Sequence, residues 1–247
     1  MKKIFLTSSL GTNIKVDGER IPCEMDNSNN MVELLKSSLS LQNKVVLVSS
    51  NPIDYERNDE VQIITQESFV LSGFAFDEFV MLDQRNKDKV EKHIKTADIV
   101  LLCGGHVPTQ NEWFKELALK NILENYNGII IGQSAGSMNL AETVYSCPEL
   151  EGEALDPTFN RWIEGLGFTT LNIFPHYEEL INEELDGLKV MEDIVLEDSF
   201  TCPIYTLNDG SFIEIDHENI VVHGECSKIS NGAITNICKN GDKVSLT

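Results

Sequence analysis

Ile129-Ile130-Ile131-Gly132-Gln133-Ser134-Ala135-Gly136 joins a short β-branched apolar run to the pattern G-x-S-x-G. Asn127-Gly128 ahead of it has turn chemistry, so the run reads as a strand buried on both faces, as in a parallel sheet. Small residues on either side of Ser134 permit a tight strand-to-helix turn that lifts the hydroxyl out at the top of the sheet. Such a turn sets the serine at a helix N-terminus, where free N–H groups and the helix dipole favour developing negative charge. A helix-like segment follows over 137–142. For the pentapeptide alone, the plain alternative is a glycine-rich connection without chemistry.

Working outward, 3–9 and 44–48 read as strands, with a helix over 30–39 between them that sets Met31, Leu34, Leu35 and Leu39 at helical spacing. Residues 54–76 yield only a short helix around 68–73. A strand over 78–82, a helix over 87–96, a strand over 98–103 ending in Gly104-Gly105 and a long helix over 111–125 then lead into Ile129. Alternation of this kind predicts a three-layer α/β fold, a mostly parallel, doubly wound sheet with helices on both faces and ligands outside the carboxyl ends of the strands. It brings Gly104-Gly105-His106 and Gly132-Gln133-Ser134 to one rim. Downstream come an acidic loop over 149–159, a strand over 168–174 closed by Pro175-His176 and an acidic helix over 178–197. Short strands over 204–207, 212–215, 220–222 and 234–238 are separated by Asn208-Asp209-Gly210, Asp216-His217-Glu218-Asn219 and Ser230-Asn231-Gly232, which predicts antiparallel C-terminal hairpins. With no internal repeat or linker, 1–247 reads as a single domain.

Composition bounds the function. A hydrophobic content of 41% over 247 residues supports a sizeable core. The net charge of −21, from 19 basic against 40 acidic residues, argues against nucleic acid as a partner. Lys2-Lys3 precedes an apolar run, Ile4-Phe5-Leu6, too short for a signal peptide, and no segment approaches a membrane span, so the expected location is the cytoplasm and no membrane partner is expected. Six cysteines are scattered without a C-x-x-C pair, so neither a metal site nor a disulfide framework is expected. No cofactor is called for. Cys103, beside two glycines at a strand end, lies near the rim and reads as a packing residue.

A serine hydroxyl needs a base to take its proton and a group to orient that base. Of the five histidines, His93, His217 and His223 fall on a surface helix, in a hairpin turn and at a strand end. His106 and His176 each follow a strand at the predicted rim, and Pro175 favours His176 by fixing the backbone before it. Glu149, Glu151, Glu178 and Asp209 are the candidate orienting acids, and spacing does not choose among them.

Gly132-Gln133-Ser134-Ala135-Gly136, Asn172-Ile173-Phe174-Pro175-His176 and Leu207-Asn208-Asp209-Gly210-Ser211, in this order, resemble the peptidase E and cyanophycinase family of serine peptidases. The resemblance spans nearly the whole chain and implies a fold similar to class I glutamine amidotransferases. It implies Ser134 as nucleophile, His176 as base, Glu149 as the acid in the loop after the serine helix, and the N–H groups of Gly105 and Ala135 as the oxyanion hole. The implied activity is hydrolysis of small peptides through an acyl-enzyme, as in a dipeptidase. Where the family has Asn after the two glycines, this chain has His106, which makes His106 a candidate substrate contact. The family's preference for aspartyl dipeptides calls for a cation, whereas the stretch after His176 offers Glu178, Glu179, Glu183, Glu184 and Asp186. If that face borders the cleft, acidic substrates are expected to be disfavoured and basic ones tolerated. The competing readings are a catalytically silent binding module of the same fold, and an amidase or esterase using the same serine.

Overall fold

The computed structural model describes residues 2–39 and 42–246. In chain order its elements begin with β1 (Lys3–Thr7), a hairpin of β2 (Asn13–Val16) and β3 (Glu19–Pro22), α1 (Met31–Ser38), β4 (Lys44–Val48), α2 (Tyr55–Leu71) and β5 (Glu78–Leu82). Then come α3 (Val90–Lys95), β6 (Ile99–Leu102), α4 (Val107–Glu116), α5 (Leu119–Glu124), β7 (Ile129–Gln133) and α6 (Ala135–Met138). β8 (Thr143–Tyr145), β9 (Trp162–Glu164), β10 (Asn172–Phe174), α7 (Tyr177–Leu180), β11 (Glu184–Leu185) and β12 (Leu188–Lys189) follow. The chain closes with β13 (Ile204–Leu207), β14 (Phe212–Asp216), β15 (Asn219–His223), β16 (Cys226–Ser230), β17 (Ala233–Cys238) and β18 (Lys243–Ser245).

The main sheet has eight strands in the order β18-β15-β14-β1-β7-β6-β4-β5. β1, β7, β6, β4 and β5 run parallel, and β14, β15 and β18 extend the edge antiparallel. Successive residues of the parallel strands feed opposite cores. Leu6, Val48, Leu102 and Ile130 pack with Trp113, Phe114 and Leu123 from α4 and α5. Phe5, Leu47, Leu101 and Ile131 pack with Leu35 and Phe69 from α1 and α2. This is the three-layer α/β arrangement expected of unbroken β-branched runs. A second sheet, β10-β13-β16-β17, covers its own core around Phe174, Ile194, Val195 and Ile204.

Several elements differ from the sequence reading. Residues 55–71 form a full helix, α2, hidden from a periodicity search because its buried face includes Asn58, Thr65 and Ser68 as well as Ile64 and Phe69. The long helix expected over 111–125 is two, α4 and α5, parted at Ala118, whose φ of 50° breaks the ladder. The acidic helix expected over 178–197 is interrupted by the β11–β12 hairpin, which turns at Asp186-Gly187. Asn208-Asp209-Gly210 is not a hairpin turn, because β13 belongs to the second sheet and β14 to the first. The turns 216–219 and 230–233 do close hairpins. No helix among the described residues is long and apolar enough to cross a membrane.

Candidate active site

Ser134 follows β7 and caps α6 with φ 50° and ψ −117°, a conformation that costs a non-glycine residue on the order of 1–3 kcal/mol. The strain is held by packing on both flanks. A Cβ on Gly132 would stand 2.6 Å from the Ser137 backbone, and one on Gly136 would overlap the Leu102 carbonyl. The G-x-S-x-G glycines are therefore required by close approach of α6 to the sheet. The Ser134 N–H is anchored on the Thr7 and Ser8 carbonyls at 3.0 and 3.1 Å. The expected meeting of two turns also occurs, since a Cβ on Gly104 would lie 3.2 Å from Ser134 Cβ.

The histidine and its partner come from neighbouring strands. β10 and β13 are parallel, with Phe174 opposite Thr206. His176 and Asp209 each sit two positions past their strand ends, at the same edge. His176 takes a left-handed conformation, φ 54°, at the start of α7. Its Nδ1 is 2.8 Å from Asp209 Oδ1 and its Nε2 is 3.1 Å from Ser134 Oγ. A carboxylate accepts only, so Nδ1 carries the proton and donates to Asp209, leaving Nε2 to accept from the serine hydroxyl. Burial lowers the pKa of His176, but the hydrogen bond and charge of Asp209, with Glu179 and Glu178, outweigh it and the net shift is upward. For Asp209 burial pushes up, and the hydrogen bonds from His176 and Ser8 with the histidine charge bring the net shift below the ordinary value.

Ser8 is a residue that sequence reasoning missed. Its hydroxyl donates to Asp209 Oδ1 at 2.6 Å and accepts from the His176 N–H at 2.8 Å. The available signal was its place just past β1, the parallel neighbour of β7. Glu178, a candidate acid, instead accepts from the Asp209 N–H at 2.7 Å and steadies that loop.

Glu149, expected at the histidine, makes no hydrogen bond to it. Asp209 occupies that ring nitrogen, delivered by the β10–β13 pairing that spacing alone does not reveal. Glu149 faces the cavity that Ser134 and His176 line. It is open to the cleft yet crowded by its walls, so burial first, then the charge of Glu153, push its pKa to about 7 against the opposing pull of His176. His106, expected at the substrate, turns elsewhere. Its Nε2 donates to Glu153 Oε1 at 2.9 Å, and its Nδ1 accepts from the Thr109 hydroxyl at 2.8 Å. Glu153 Oε2 in turn accepts the N–H groups of Glu149 and Leu150 at 2.9 and 3.0 Å. His106 thus tethers the loop that carries Glu149. Cys103 is buried and its thiol is pushed up to about 12, which disfavours the thiolate near neutral pH. Among the described residues no group of three or more His, Cys, Asp or Glu is placed to hold a metal.

The cavity beside Ser134 has a volume of about 440 Å³. Phe174, Leu180 and Val190 supply apolar wall, Glu179, Glu183 and Glu184 supply the charge, and Glu149 adds to it above about pH 7. The acidic stretch after His176 therefore does border the cleft.

A serine hydroxyl within hydrogen-bond distance of a histidine, on the carboxyl rim of an α/β sheet, is an arrangement found in hydrolases. The chain belongs to peptidase family S51, whose model matches residues 33–223, and it is a hydrolase acting on peptide bonds. Among solved structures it is similar to a peptidase from an acI-B1 Actinobacterium, with a TM-score of 0.68 and 13% identity over 99% of this chain and 97% of that one. It is also similar to a peptidase E-type protein of Listeria monocytogenes EGD-e, with a TM-score of 0.58 and 16% identity over 96% of this chain and 100% of that one. No curated protein matches the chain.

Proposed function

We propose that the protein is a serine peptidase of short peptides, with Ser134 as nucleophile, His176 as general base and Asp209 as the acid that orients it. The observation carrying this reading is the series Asp209–His176–Ser134, joined at 2.8 and 3.1 Å. His176 Nε2 takes the Ser134 proton as Oγ attacks the peptide carbonyl. The N–H groups of Gly105 and Ala135 receive the oxyanion, each worth about 3–4 kcal/mol by analogy with other serine hydrolases. The imidazolium, stabilised by Asp209, then protonates the leaving amine, and water releases the acyl group. The glutamate-lined cavity suits an ammonium or guanidinium group of the substrate, so basic residues are favoured there over acidic ones.

A second reading makes Glu149 the acid, favoured by its place in the same cavity and its electrostatic coupling to His176. A fluorophosphonate probe with a panel of dipeptides, β-aspartyl peptides and simple esters tests the proposal. Wild-type protein is expected to label at Ser134 and to hydrolyse lysyl or arginyl dipeptides, and Ser134→Ala and His176→Ala are expected to do neither. Labelling that survives His176→Ala would remove His176 as base. Absence of labelling in the wild type would remove Ser134 as nucleophile, and turnover of esters without any dipeptide would overturn the short-peptide substrate.

A further inference from the structure

Ser134 and His176 also line a second cavity of about 290 Å³, separate from the glutamate-lined one. Its walls carry the opposite charge, with Arg20 and Arg57 present and no aspartate or glutamate among the described residues that line it. Arg20 comes from the β2–β3 hairpin, which pairs with neither large sheet, and Arg57 from the first turn of α2.

Both guanidinium groups pair with the same oxygen of Glu60, Arg57 closely and Arg20 at 3.7 Å. Two cations sharing one carboxylate leave one positive charge uncompensated within that cluster. This is notable in a chain with 19 basic and 40 acidic residues. The long, partly solvated Arg20–Glu60 contact contributes little to stability, so it gives no structural reason for Arg20 to be there. The charge of Arg57 is felt inside the cavity, at the Cys103 thiol, where it opposes the larger upward push of burial. Asn13 and Gln133 add neutral donors to the wall.

We propose that Arg20 and Arg57 form a carboxylate-binding subsite that seats an anionic group of the substrate beside Ser134. This rests on the reading of Ser134 as the peptidase nucleophile. The guanidinium fork matches a carboxylate geometrically, and such charge-assisted bonds are the stronger ones. Together with the glutamate-lined cavity, it makes the preferred substrate a short peptide with a cation on one side of the nucleophile and a carboxylate on the other. The carboxylate comes from the peptide's C-terminus or from an acidic side chain.

Calorimetric binding to the intact Ser134→Ala protein tests the subsite without needing turnover. Three ligands separate the sources: lysyl-alanine, its C-terminal amide, and lysyl-glutamic acid α-amide. At least one carboxylate ligand is expected to bind about tenfold more tightly than lysyl-alanine amide. Arg20→Gln and Arg57→Gln are each expected to erase most of that advantage while leaving the amide unchanged. Arg20→Lys retains the charge and is expected to keep part of the advantage. Glu60→Gln, which frees the arginines from their shared partner, is expected to tighten carboxylate binding about threefold. Advantage confined to lysyl-alanine assigns the subsite to the C-terminal carboxylate, and advantage confined to the α-amide of the glutamic peptide assigns it to a side chain. Equal affinity for acid and amide overturns the proposal, as does equal weakening of both by the arginine variants. Fluorophosphonate labelling of the unsubstituted protein reads the nucleophile separately, so failure of the subsite and failure of Ser134 are told apart.

Discussion

Asp209 faces His176 because two parallel strands end side by side, and that relation gives the three polar groups separable signatures. Asp209→Asn is expected to lower kcat by about 10³–10⁴-fold, since the imidazole loses the acceptor that fixes its tautomer. Glu149→Gln is expected to stay within about tenfold of wild type, and steady-state kinetics of the two variants decide between the acids. The pH profile adds an independent reading. In the proposed mechanism His176 must be neutral to act as base, and its pKa is raised overall, so the acid limb of kcat/KM should lie above the ordinary imidazole value of about 6.5. Removing the Asp209 charge leaves burial as the main influence, and the limb should move to lower pH. Glu149 has the opposite consequence for stability. Its carboxyl is raised from 4.5 to about 7, so the folded state holds a proton that the unfolded chain has already lost, and ionising it above about pH 7 disfavours folding. Glu149→Gln should therefore raise stability at pH 8 by about 1 kcal/mol, a figure reduced for the solvent that reaches the side chain, and give no gain below pH 4.5. Urea denaturation at the two pH values measures this.

At the scale of elements, the strands of the parallel sheet were legible because each carries a short run of largely buried apolar residues, mostly β-branched or leucine in β4, β6 and β7. The serine turn was legible for a related reason: its glycines are dictated by contact rather than by flexibility. Gly136→Ala puts a methyl group against the Leu102 carbonyl, a backbone group of the neighbouring strand that cannot swing aside. It should destabilise by about 1–3 kcal/mol, read as a lower urea midpoint. What the sequence concealed has physical causes. α2 buries Asn58, Thr65 and Ser68, so its inward face shows no apolar stripe. The acidic stretch after His176 has apolar residues at helical spacing, yet Asp186-Gly187 lets the chain turn back into β11–β12. Spacing left Asp209 as one of four candidate partners for His176, because Asn208-Asp209-Gly210 has the composition of a hairpin turn while linking two sheets. Ser134 and His176 announce themselves through local motif and strand end. Asp209 and Ser8 join them only through the pairing of β10 with β13 and of β1 with β7.

For the whole molecule, the net charge of −21 sets a field around a site whose main cavity is itself lined by four glutamates. A cationic peptide approaching such a cleft is concentrated near it and steered into it, whereas a neutral peptide is not. Charges exposed to solvent are screened over about 10 Å at 0.1 M salt and about 3 Å at 1 M. The attraction should therefore act mainly on encounter and weaken as salt is added. With lysyl-alanine amide, which carries two positive charges and no carboxylate for the arginine cavity, kcat/KM should fall severalfold from about 0.02 M to about 0.5 M salt. With an uncharged acetylated dipeptide amide it should change little. Replacing Glu183 and Glu184 by glutamine tests whether the cleft or the overall charge is responsible. If the cavity wall dominates, the double variant loses most of the salt dependence while the net charge falls only from −21 to about −19, one charge lost per substitution. If the dependence persists undiminished, the field of the whole chain governs encounter and the glutamate wall does not select cations.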